Sequence, residues 1–123
     1  MIGSTRALRV YARNRPTDLR AGFDGLYALV RQELGKNPLA GDLFLFVNKN
    51  RRSAKVLHWD GTGLCIYAKR LVKGRFARLW NGDGVDGLAL TQSELALFLE
   101  GAALAGRLPL SPKEFHIDTA TRL

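Results

Sequence analysis

His58 and Asp60 stand two apart in VLHWDG, and an HxD pair can hold a metal ion. A metal site needs a third protein ligand, and none stands at a recognisable spacing. His58 therefore reads as a half-exposed strand histidine, and no metal is assigned. Asp83 and Asp86 sit among glycines in NGDGVDG. The bidentate glutamate of a calcium loop is missing there, and turn chemistry accounts for both aspartates. Asp18 and Arg20 read as a helix cap with a local ion pair. His116 lies in an aperiodic tail. The chain has no P-loop, no GxSxG and no paired CxxC. No catalytic residue and no cofactor is assigned.

The residue types that do point to chemistry are cationic. YAKRLVKGRFARLW (67–80) carries five basic residues and no acidic one. Residues 1–78 hold 16 Lys/Arg against 5 Asp/Glu, and residues 79–123 hold 3 against 6. Net charge is +8, so the excess lies in the first two-thirds. That asymmetry suits an anionic partner, of which nucleic acid is the commonest. Arginine can grip phosphate or guanine with a bidentate fork. Tyr67, Phe76 and Trp80 could stack on bases, though Phe76 and Trp80 are expected in the core.

Such residues act together only if the fold gathers them. ALRVYAR (7–13) reads as a strand. Leu19, Phe23, Leu26 and Val30 recur at helical spacing and predict a helix over 18–34, capped by Thr17 or Asp18. Gly22 and Gly25, poor helix formers, are expected to serve close packing against a neighbouring element. LFLFV (43–47), AKVLHW (54–59), GLCIYAKR (63–70) and RFARLW (75–80) read as strands, with a further short one near 88–90. NKNRRS (48–53), Asp60-Gly61 and Val72-Lys73-Gly74 are the turns between them. Thr91-Gln92-Ser93-Glu94 is a capping box opening a helix over 92–103. The expected fold is α+β: a mostly antiparallel sheet of four to five strands, one N-terminal crossover helix and one C-terminal helix. One domain over 1–106 is expected, with 107–123 a loosely packed extension.

In an up-and-down meander alternate turns share one end of the sheet. Lys49, Arg51 and Arg52 should therefore meet Lys69, Arg70, Lys73 and Arg75. If strand 7–13 runs parallel to 43–47, Arg13, Arg15 and Arg20 join them. The single cysteine, Cys65, reads as a small buried hydrophobe. It cannot form an intrachain disulfide, which fits a reducing, cytoplasmic compartment, and a DNA partner would make the protein nucleoid-associated. No apolar stretch approaches the roughly 20 residues of a membrane span, and no signal-peptide core is present.

TDLRAGFDGLYALV (17–30), residues 41–76 and LTQSELALFLEG (90–101) together resemble the accessory proteins termed TnpB, or Orf2, of the IS-sixty-six insertion sequences. The resemblance spans about residues 8–103. It rests on D-x-R-x-G-F-D-G-L, F-x-F-x-N-x-x-R, K-x-L-x-W-D-G-x-G and Y-x-K-R-L-x-x-G-R-F. It implies an accessory role in DNA transposition beside a separate transposase that carries the catalytic acids. Asp18, Arg20, Arg52, Lys55, Asp60, Lys69, Arg70, Gly74 and Arg75 are the family-pattern positions the resemblance marks, Arg52 following the motif arginine Arg51 directly. Lys55, in the strand neighbouring the basic turns, is counted with the nucleic-acid-binding candidates on the strength of that resemblance. The tail beyond about 106 departs from the family pattern. The expected partners are DNA, at insertion-sequence ends or targets, and the element-encoded transposase, with no membrane. A protein-interaction adaptor without DNA contact is the alternative, motivated by the apolar face of helix 92–103. A cryptic nuclease is the third reading, and a homo-oligomer through an edge strand is left open.

Overall fold

A run such as LFLFV can be apolar throughout only if both faces of its strand are covered. The computed structural model describes residues 8–80 and 87–101 and shows that arrangement. β1 (Val10–Ala12), β2 (Leu43–Val47), β3 (Ser53–Trp59), β4 (Leu64–Arg70) and β5 (Leu88–Leu90) form one sheet in the order β4-β3-β2-β1-β5. β1 and β2 pair in parallel, Val10 opposite Leu43, and α1 (Phe23–Gln32) lies in the connection between them. The other three pairings are antiparallel. The sheet is therefore mixed. α2 (Gln92–Glu100) follows β5. None of the described helices is long and apolar enough to cross a membrane.

Strand alternation sorts the core into two layers. Phe44, Phe46 and Leu57 pack against Leu26, Val30 and Leu34 on the α1 side. Leu45, Val47, Ala54 and Val56 pack on the other side against Phe76, Ala77, Leu79 and the α2 residues Leu95 and Phe98. The rings of Phe76 and Phe98 stack with centroids 5.1 Å apart. The apolar face of α2 is thus occupied within the core: Leu95, Leu97 and Phe98 are all buried.

The expected strand over 75–80 does not form. Residues 75–80 pair with no strand and instead cross one face of the sheet. Phe76 and Ala77 are consecutive and both buried, which a strand's alternation forbids on one face. The Phe76 N–H donates to the Arg51 carbonyl (2.7 Å), which anchors the segment at the β2–β3 turn.

Helix α1 starts later than the spacing predicts. Residues 18–21 form a turn, with the Ala21 N–H donating to the Asp18 carbonyl, and the cap position is Gly22 rather than Thr17 or Asp18. Gly22 has open space around it, so close packing does not explain it. Gly25 makes a close contact only within its own segment, since a Cβ there would lie 2.8 Å from the Ala21 Cβ four residues back, and not against a neighbouring element. The capping box of α2 forms as expected, Thr91 and Glu94 each accepting from the other's backbone N–H. Gly101, at φ 103°, ends that helix before 103. Asp83, Asp86, His116 and the extension 107–123 lie outside the described residues.

Candidate nucleic-acid interface

The sheet brings the two basic turns to one end. Ser53 opens β3 opposite Arg70, the last residue of β4. Residues 48–52 and the loop after Arg70 therefore emerge together, and the Asp60 turn lies at the far end. The parallel pairing of β1 with β2 sends the chain after Ala12 toward the same end. There the Thr17 N–H donates to the Val47 carbonyl. Residues 16–20 then face the β2–β3 turn across an open groove of about 790 Å³ that contains Asp18, Arg20, Asn48, Lys49 and Asn50. A second depression, about 320 Å³, shares Leu19 and Ser53 with it and continues to Lys55, Lys69 and Arg70.

The β2–β3 turn is built around a residue that charge alone does not single out. Asn48 Oδ1 accepts from the N–H groups of both Arg52 and Ser53. The turn places Arg51 at φ 61°, in the left-handed region. Arg51 then donates through its guanidinium to the Phe76 carbonyl (3.1 Å). In sequence Asn48 is legible as the first residue of the NKNRRS turn and as the polar member of F-x-F-x-N-x-x-R, and neither reading gives it this bracing role.

The cations divide by what they already hold. Arg13 donates to the Pro16 carbonyl, to Thr17 Oγ1 and to Glu33, and is largely covered. Lys55 donates to the Ala21 carbonyl (3.1 Å), and Lys69 to the Leu99 carbonyl near the end of α2 (2.6 Å). Arg20 forks onto Asp18, at 2.6 Å for the shorter contact. That fork holds the Asp18 carboxyl down at about 2, and the Arg20 backbone N–H adds to the effect. Arg15 is exposed on the approach to the groove. Lys49, Arg52, Arg70, Lys73 and Arg75 are exposed, and their side chains hold no ion pair or hydrogen bond among the described residues. Tyr67, about half exposed, stands on the β4 face that also carries Lys69.

At the far end, Asp60 is engaged in its turn. Its carboxylate accepts from the N–H groups of Thr62 and Gly63 and from the Thr62 hydroxyl. These bonds hold it down at about 2, the Thr62 N–H foremost. Cys65 corrects an expectation: it is exposed, because β4 is an edge strand whose outer half is uncovered. Partial desolvation, with Asp60 beside it, pushes its thiol up. Among the described residues no group of three His, Cys, Asp or Glu side chains could hold a metal ion.

With this geometry in view, the family model described as IS66 Orf2 like protein matches residues 8–107. The chain belongs to the IS66 Orf2-like family. Membership ties it to insertion-sequence transposition. Two relatives from Sinorhizobium fredii, the uncharacterized proteins y4hO and y4jC, are each 36% identical over 101 residues. The match covers 82% of this chain and 86% and 85% of theirs. No solved structure matches. In this IS66 Orf2-like chain the four motifs acquire structural roles. Asp18 and Arg20 pair in the turn before α1, Phe44 and Phe46 are core, Lys55 ties that turn and Lys69 ties α2 to the sheet, Asp60 closes a turn, and Gly74 takes a left-handed φ of 75°.

Proposed function

We propose that this IS66 Orf2-like protein is a non-catalytic accessory of transposition that binds DNA through the basic end of its sheet and works beside a separate transposase. One observation supports the reading most: Lys49, Arg52, Arg70, Lys73 and Arg75 share that end with their side chains unengaged among the described residues. Each can neutralise a phosphate without giving up an existing bond. Arg20 lines the groove beside them but would first have to leave Asp18. Such a protein would work in the cytoplasm, at the nucleoid.

Fluorescence anisotropy with duplex DNA over a salt series tests this. Five phosphate contacts predict a slope of log affinity against log salt of about −4 to −5. Arg52→Glu with Arg75→Glu should lower low-salt affinity at least about tenfold and make the slope shallower by about two. Lys55→Met and Lys69→Met should instead lower stability by about 1–2 kcal/mol each, because those ammonium groups hold backbone carbonyls. An unchanged slope in the charge-reversal variant sinks the assignment.

A further inference from the structure

We propose that the outer edge of β4 pairs with the same edge of a second copy, antiparallel about a two-fold axis at Tyr67. The backbone direction along β4 follows from two bonds that bracket the β3–β4 ladder. Asp60 N–H donates to Gly63 C=O, and Leu71 N–H donates to Arg52 C=O. Antiparallel pairs alternate between bonded and non-bonded. So Cys65, Tyr67 and Lys69 direct their N–H and C=O groups at β3, while Leu64, Ile66, Ala68 and Arg70 direct theirs outward. No backbone partner meets those outward groups among the described residues.

β4 is seven residues long, whereas β5, the other edge, has three. A long unpaired edge is a template for another strand. Two copies centred on Tyr67 place Ile66 opposite Ala68 of the second copy and Leu64 opposite its Arg70. Every outward N–H and C=O from Leu64 to Arg70 then has a partner. Any shifted register loses some of them.

Side chains and charge agree with that register. The half-exposed Tyr67 rings meet in the closer, non-bonded position, where cross-strand aromatic pairs contribute most. The strand carries Lys69 and Arg70 at one end and no acidic residue. A parallel pair would set those cations side by side. The antiparallel pair sends them to opposite ends, with the two Arg70 residues about 20 Å apart.

The test uses the full chain. Sedimentation velocity at about 100 μM, where mass action favours association, should give twice the 13.6 kDa chain mass. Tyr67→Lys opposes two ammonium groups and should weaken the dimer at least about tenfold. Ala68→Pro removes an outward donor at an exposed edge position and should do the same with the fold kept, as read by circular dichroism. In a Cys65→Ser background, Tyr67→Cys should oxidise readily to a disulfide dimer, since the paired Cα atoms would lie about 4.5 Å apart. Native Cys65 should not, because the two copies would sit about 13 Å apart. A monomer at that concentration overturns the proposal. So does a Cys65-linked dimer, or a dimer indifferent to both Tyr67→Lys and Ala68→Pro.

Discussion

Some charged residues in this chain hold backbone carbonyls and others are left unengaged among the described residues, and the sequence does not separate them. Lys55, Lys69 and Arg51 look as available as Lys49 or Arg52 when read along the chain. In space the first three hold the carbonyls of Ala21, Leu99 and Phe76. Those partners lie 34, 30 and 25 residues away, beyond the reach of any local pattern. The Asp18-x-Arg20 pair was legible because its partners are neighbours. Asp18 and Asp60 give a test at this scale. Both sit at about 2, against an ordinary value of 3.8, held there by the Arg20 fork and by turn N–H groups respectively. Folded values below unfolded ones mean that the unfolded chain binds more protons between these pH values. The contribution is therefore present above about pH 4 and is lost as pH falls toward 2. Thermal melts of Asp18→Asn and Asp60→Asn should lie below wild type near neutrality and converge on it at about pH 2. A constant gap across that range would show that the carboxylate charge is not what stabilises these turns.

At the scale of elements, local rules succeeded for one hairpin and for α2, while the start of α1 at Gly22 escaped them. Hairpin β3–β4 was legible from Asp60-Gly61 between two alternating runs, and α2 from its capping box. RFARLW failed because apolar density describes burial and not hydrogen bonding. An extended segment lying on a sheet face and a strand within the sheet have similar composition. The distinction here is set by one long-range bond, Phe76 N–H to Arg51 C=O, and by the stacking of Phe76 on Phe98. Phe76 is fully buried and joins the loop, the sheet and α2 in one layer. Phe76→Ala should cost about 3–5 kcal/mol, measured by denaturant unfolding. Phe76→Leu, which keeps most of the volume, should cost less than half of that. Equal losses would mean that the backbone anchor, and not the ring, holds this segment.

At the scale of the whole molecule, the charge excess of residues 1–78 is legible in the sequence, while the fold decides which end of the sheet carries it. Topology sends three connections, after β1, at β2–β3 and after β4, to one end of the sheet. An antiparallel β4 pair would turn the basic ends of two copies in opposite directions. A dimer would then hold two DNA segments, one at each end, rather than extend its grip on one. Two duplexes carrying different labels test this. Wild-type protein should recover the second duplex on beads loaded with the first, and Tyr67→Lys should bind either duplex singly yet recover none of the second. Arg52→Glu with Arg75→Glu should weaken single-duplex binding at least about tenfold at low salt while leaving the sedimenting dimer intact. The two variants thus fail in different assays. Bridging that survives Tyr67→Lys would place the two DNA sites within one copy, and the β4 edge would have no part in it.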